Sequence, residues 1–419
     1  MIRHYIIILI LSLYAFAPVG AQSYVVRNNY DSQLAFINNH ANELKGNVAS
    51  LDSFFEQLYR LKSDVGSNIS PISIFHLGDS HLQAGFLNGT VMQDFHKDFG
   101  NAGRGLIFPL KLANTNEPFD YAITSTSTWR SARCTSIRIP FSLGVGGLSL
   151  FTVADDFDLD IRTSTKRQPS YDFNKVKVFH HPNSPTLNVS GNDVKVKSKG
   201  RIKPFVSEFV FENHVNEFVL SGTKQNPTDS AIFYGVSLEN GRRGVLYHTV
   251  GLNGAQFIHY LRIESFAEQI NAVNPQLIIF SLGTNEAFRG EIKEAQIKRE
   301  IDRLVQYVRQ KNPDALFLFT TPAECQYRVV ENKVTVYRPN PRIKIVRDAI
   351  VNYANENHYA YWDIYDISGG EGSSENWVQN KLLSRDRVHF EVAGYRIQGN
   401  LLYQAIIKGY NSYVVKRNK

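Results

Sequence analysis

Four short stretches of this 419-residue chain carry side chains that could do chemistry together. "FHLGDSHLQAGF" sets Ser80 between Asp79 and His81 at the end of an apolar run, and "VGLNGAQF" is a turn holding Gly251 and Gly254. "SLGTNEAF" presents Asn285 beside Glu286, and "SRDRVHFEVAGY" places Asp386 three residues before His389. A serine hydroxyl attacks a carbonyl only when a base takes its proton, and an imidazole does this best when a carboxylate fixes its tautomer. Ser80, His389 and Asp386 supply those three roles. The negative tetrahedral intermediate also needs positioned donors. Candidates are the Ser80 N–H at a helix N-terminus, a glycine N–H from the turn, and the Asn285 amide. Each stretch has a plainer reading, since Asp and Ser are favoured helix caps and Asn285 or the Asp386–His389 pair could simply cap or turn the chain. Their order behind apolar runs favours the chemical reading.

Such residues need a frame that gathers distant loops onto one rim. "ISIFHL", "GVLYHT", "PQLIIFSL", "ALFLFTTP" and "YAYWDIYDI" read as strands. "KEAQIKREIDRLVQYVRQKNP", with Ile297, Ile301, Leu304 and Val308 on one face, reads as a helix, as do "PRIKIVRDAIVNYANENH" and the closing "EVAGYRIQGNLLYQAIIKGY". Alternating β and α implies a parallel sheet covered by helices on both faces, with ligands outside the carboxyl ends of its strands. Leu34, Ile37, Leu44, Leu51, Phe55, Leu58 and Leu61 predict one or two amphipathic helices over residues 31–62. From about Tyr121 the texture changes: "KVKVFHH", "NDVKVKSKG" and "SEFVFENHVNEFVL" alternate apolar with polar residues between Gly, Asn and Pro turns. The expected organisation is a leader over 1–21, an α/β domain over 22–120 and 243–419, and an inserted all-β sandwich or jelly roll over 121–242.

The start, "MIRHYIIILILSLYAFAPVGAQS", has a basic beginning, an apolar run and small residues before Gln22, which predicts a signal peptide cleaved after Ala21. Its apolar run is shorter than the roughly 20 residues a spanning helix needs, so no membrane anchor is expected after removal. The mature chain is then periplasmic or secreted. Cys134 and Cys325 are the two cysteines, either one disulfide or two buried thiols. The formal charge of +7, or +6 without Arg3, comes without a Lys/Arg block and makes no case for nucleic acid. His180-His181 lacks a carboxylate or cysteine at metal-ligand spacing, so neither metal nor cofactor is expected. Trp129 and the other aromatic residues of the β block are either sandwich core or a sugar-stacking surface.

The ordered set "GDSH", glycine turn, "GTNE" and "DRVH" resembles the blocks of the SGNH, or GDSL-type, hydrolases. The resemblance implies a three-layer, flavodoxin-like α/β fold with Ser80 as nucleophile and Asp386 and His389 completing a triad. It also implies an oxyanion hole from Ser80, Gly254 and Asn285, with Gly251 in the same turn as the alternative donor. His81 stands where the family has leucine, and Glu286 where it has aspartate. With a β insertion between the first two blocks, these features look like the peptidoglycan O-acetylesterase branch, whose inserted domain resembles a carbohydrate-binding module. An exported serine esterase acting on an O-acetylated glycan, with peptidoglycan foremost, is the implied function. Acetyl transfer, deacetylation of another polysaccharide, and glycan binding on an inactive scaffold are the rivals.

Overall fold

The computed structural model describes residues 34–63, 70–164, 171–226 and 228–419, so the leader read over 1–21 lies outside the described residues. Its centre is a six-stranded sheet in the order Leu44–Gly46, Ala360–Trp362, Leu316–Thr320, Leu277–Ser281, Ile72–Gly78, Val245–Gly251. The last five run parallel and Leu44–Gly46 pairs antiparallel at one edge. Numbered along the chain, the parallel strands lie in the order 2-1-3-4-5, the flavodoxin-like arrangement. Its strand order reverses beside Ile72–Gly78, and ligands collect at such a switch point.

Every residue of "ISIFHLG" is buried, because helices cover both faces of this strand. Alternate side chains go to opposite layers. Ile74, Ile279, Leu318 and Trp362 pack with helices Asp52–Ser63, Leu87–Phe99 and Val392–Arg417. Phe75, Leu77, Phe280 and Phe319 pack with helices Phe266–Asn271, Glu294–Arg309 and Pro341–Glu356. The amphipathic stripe read from the sequence is present, as Ile297, Ile301, Leu304, Val305 and Val308 are all buried. His76 is polar in the middle of an apolar strand, and its ring is satisfied by Tyr247 Oη at 2.7 Å and Ser281 Oγ at 2.6 Å.

Ahead of the sheet, among the described residues, only Asp52–Ser63 of the expected amphipathic run is α-helix. Residues before it form two 3-10 turns, Asn39–Ala41 and Val48–Leu51, around the edge strand. Gly46 at φ +73° and the Asn38 side chain, which accepts from Ala41 N, favour turns there over a helix.

The β block joins two antiparallel sheets. One holds Val196–Lys203, Val206–Val215, Phe173–His180, Ala231–Glu239, Leu148–Thr152 and Arg130–Arg133, with Gly105–Ile107 also paired to Ala231–Glu239. The other runs Tyr121–Thr124, Asp156–Thr163, Glu217–Thr223, Leu187–Ser190. Phe173 and Phe211 of the first sheet pack against Phe218 of the second, giving a sandwich core. Trp129 belongs to that interior, edge-on to Phe157 with Nε1 donating to Ser125 Oγ at 2.8 Å. Cys134 and Cys325 are both buried free thiols. A hairpin of Gln326–Glu331 and Val334–Pro339, which the sequence reading passed over, projects between the fourth parallel strand and its helix. No helix among the described residues is long and apolar enough to cross a membrane.

Gly251 ends its strand against the backbone that follows Gly78. A Cβ there would lie 2.5 Å from Gln83 N and 2.8 Å from Asp79 O, both main-chain atoms that cannot step aside. Gly251→Ala should therefore cost about 1–3 kcal/mol of stability and shift Ser80. Urea denaturation together with the labelling rate of Ser80 by a serine-directed phosphonate checks this; an unchanged midpoint and rate would contradict it.

Candidate active site

Ser80 opens a single helical turn, Ser80–Gln83, just beyond the strand at the switch point. Asp79 caps that turn by accepting from His81 N at 3.0 Å. Tyr260 Oη donates to the Gly78 carbonyl at 2.7 Å and fixes the strand end from below. Ser80 N–H is among the first N–H groups of the turn, which have no intrahelical acceptor.

From the far end of the chain comes the loop before helix Val392–Arg417. Ser384 N donates to His389 O at 2.7 Å, and Leu383 pairs with Phe390, so the loop closes on itself. Asp386 organises its interior. Oδ1 accepts from Ser384 Oγ at 2.7 Å and from the Val388 and His389 N–H groups at 2.9 Å each, leaving Oδ2 for His389 Nδ1 at 2.7 Å. His389 Nε2 lies 2.8 Å from Ser80 Oγ. With Nδ1–H donating to the carboxylate, Nε2 is left as the acceptor for the serine proton. Folding thus brings the three residues into one hydrogen-bonded line. Partial burial raises the Asp386 carboxyl, but the His389 ring and the three further donors outweigh it and hold it well below the usual carboxylate range.

His81 packs behind this line. Its ring centroid is 5.3 Å from that of His389, and its Nδ1 meets Tyr395 Oη at 3.0 Å. It buttresses the imidazole and has no contact with Ser80 Oγ of the kind His389 makes.

The glycine turn and the Asn285 loop meet beside Ser80. Gly254 sits at φ +76° with open space where a Cβ would stand, whereas Gly251 is sealed against the Ser80 turn and paired with Gly78. Asn285 Nδ2 donates to Asp79 Oδ2 at 3.2 Å and to Ala255 O at 3.0 Å. Glu286, fully buried, accepts from Phe257 N at 2.8 Å and so ties the two loops together. Burial pushes the Glu286 carboxyl up to about 7, and likewise Asp79, despite the His81 N–H, the nearby His389 and the Asn285 amide that pull Asp79 down.

Several positioning residues escaped the sequence reading. Gln83 is buried; its Oε1 accepts from Asn253 N at 2.7 Å, and its Nε2 donates to Thr115 Oγ1 and Asn116 O at 2.7 Å each. It clasps the serine turn, the glycine turn and the segment entering the β block. Gln256 donates to Asn285 O at 2.9 Å while accepting from Arg289, which is itself held by Glu300. Only the position of Gln83, one helical turn after Ser80, could have hinted at this. His180 bonds Ser207 Oγ at 2.9 Å and the His181 carbonyl at 2.8 Å, a role inside the sandwich.

Residues 222–397 match the GDSL-like Lipase/Acylhydrolase family. The matched segment holds Gly254, Asn285, Asp386 and His389 but stops short of Ser80, which the insertion separates from the rest. No curated protein matches the chain in sequence. Among solved structures, a peptidoglycan O-acetylesterase superposes with a TM-score of 0.71 at 20% identity, covering 88% of this chain and 99% of its own. An acetyl xylan esterase, AlAXEase, is 17% identical with a TM-score of 0.31, over 38% of this chain and 80% of its own. A lipase/acylhydrolase from Enterococcus faecalis is 18% identical with a TM-score of 0.30, over 39% and 77%.

Buried ionisable groups give the fold a signed response to acid. Desolvation holds His76, His81, His96 and His248 at about 3 and His180 at about 4, so these contribute stability above pH ~6.5 that is lost as pH falls toward those values. Asp79 and Glu286, raised to about 7, act oppositely: their contribution is present below pH ~4 and lost as pH rises through 7. The histidines win, and unfolding near pH 5 should take up about three protons net. The slope of unfolding free energy against pH measures this; a stability that climbs from pH 6.5 to 4.5 would contradict it.

Proposed function

We propose that this chain, a carboxylic ester hydrolase of the SGNH or GDSL-like type, removes O-acetyl groups from a cell-wall glycan, with the muramoyl 6-O-acetyl group of peptidoglycan as its substrate. The observation that carries the proposal is the unbroken line Asp386–His389–Ser80, at 2.7 and 2.8 Å, standing on a fold similar over 88% of this chain to that of a peptidoglycan O-acetylesterase.

In the proposed mechanism Ser80 Oγ attacks the ester carbonyl as His389 Nε2 takes its proton. Ser80 N–H and Gly254 N–H donate to the oxyanion. Asn285 joins them by turning its amide from the longer, 3.2 Å contact with Asp79. His389 returns the proton to the departing sugar hydroxyl, and water then repeats the sequence to release acetate and free Ser80. Asp386 stays ionised throughout and supports the imidazolium. The side chains of His389 and Asp386 are 40% and 53% exposed, which suits an ester carried on a polymer and lets water reach the acyl-enzyme. A substrate of the cell wall also accords with export by the leader read over residues 1–21 and with a periplasmic or secreted location.

Purified protein should release acetate from O-acetylated peptidoglycan faster than from acetylated xylan. Ser80→Ala should abolish release and phosphonate labelling, and Asp386→Asn should lower kcat by about 10²–10⁴-fold. Labelling at another residue, or full turnover by Ser80→Ala, would refute the mechanism; a preference for xylan would refute the substrate.

A further inference from the structure

Beside the Asp386–His389 loop lies a groove of about 620 Å³ that the chemistry above does not use. Lys381, Arg385 and Arg387 line it, with Glu391 as the opposing carboxylate. Among the described residues, none of these three cations is in an ion pair. Asp386, next to two of them, already has its oxygens engaged by Ser384, Val388 and His389.

Two of the cations stand on backbone that other residues would occupy with less strain. Lys381 has φ +58° and Arg387 φ +65°, the left-handed region where glycine or asparagine is usual. Arg387 is also held in place: Gln326 N donates to its carbonyl at 2.9 Å, and its guanidinium lies 5.5 Å from the centre of the Tyr337 ring on the projecting hairpin. Its Nε is buried without a hydrogen-bond partner.

Unpaired cations beside the loop that carries His389, with a partly exposed aromatic ring at their edge, match an acidic polysaccharide. Guanidinium groups recognise carboxylates with paired donors, and an aromatic face accepts the apolar side of a sugar ring. We infer that the groove is an anionic subsite that seats a carboxylate-bearing part of the acetylated glycan while Ser80 acts on the ester. The inference rests on the ester-hydrolase reading of the triad and deepens it, since Lys381, Arg385 and Arg387 would select acidic over neutral substrates.

The test compares kcat/KM on O-acetylated peptidoglycan, O-acetylated polygalacturonate and uronate-free acetylated xylan, for wild type, Lys381→Gln/Arg385→Gln and Arg385→Lys. The double variant should lose at least about tenfold on the acidic polymer that wild type cleaves, through KM, with a matching fall in its acidic-to-neutral ratio. Arg385→Lys should keep most of that preference. Raising salt from about 0.1 to 1 M, which shortens the screening length from ~10 to ~3 Å, should erode it in wild type. An unchanged ratio, an equal loss on all three substrates, or a wild type that prefers xylan would overturn the subsite. Acetate release from O-acetylated polygalacturonate but not from peptidoglycan would remove the peptidoglycan reading, while the same loss in the double variant on that polymer would still support the subsite.

Discussion

The hydrogen bond from Ser80 to His389 joins residues 309 positions apart, and the rest of the molecule can be understood as what makes it 2.8 Å long. Neither loop could hold its side chain alone. Ser80 is fixed because its strand is buried on both faces and flanked by the strands Val245–Gly251 and Leu277–Ser281. His389 is fixed because Asp386 consumes the loop's free donors and because the final helix packs along Leu87–Phe99. Gly399 allows that close approach, since a Cβ there would lie 2.4 Å from Leu87 O. The switch in strand order then leaves a crevice at the carboxyl edge, where the hydroxyl, the imidazole and the glycine turn meet.

Holding that geometry costs stability in identifiable places. Asp79 and Glu286 are buried carboxyls, which desolvation disfavours as ions, yet each ties loops that would otherwise move independently. Arg387 occupies a left-handed backbone conformation two residues before His389. Some strain and buried polarity thus lie beside the reacting groups, and the layers of Phe, Ile and Leu on either side of the sheet offset them.

Much of this was legible in the residues. Apolar runs such as "ISIFHL" and "PQLIIFSL" mark strands because both faces must be buried, and the helical stripe of Ile297, Ile301, Leu304 and Val308 marks its own inner face. The ordered polar blocks then indicated which loops should converge. What stayed hidden depends on tertiary partners. Leu44 is apolar at a spacing that suits a helix, yet it pairs with Trp362 in an edge strand. The hairpin over 326–339 alternates weakly and mostly faces solvent. Gln83 and Gln256 carry no local signal, because their importance comes from what folding sets beside them. The cationic groove was equally opaque, as Lys381, Arg385 and Arg387 are unremarkable until a shared wall gathers them.

The sandwich enters between the first and second parallel strands, and this imposes an order on the chain's birth. Ile72–Gly78 pairs only with strands that leave the ribosome after the whole β block. At about 5–20 residues per second, it waits on the order of ten seconds for them. An apolar segment left without neighbours for that long is a hazard for aggregation, but it also keeps the polypeptide extended. Under the export proposed above, late closure of the central sheet would be an asset.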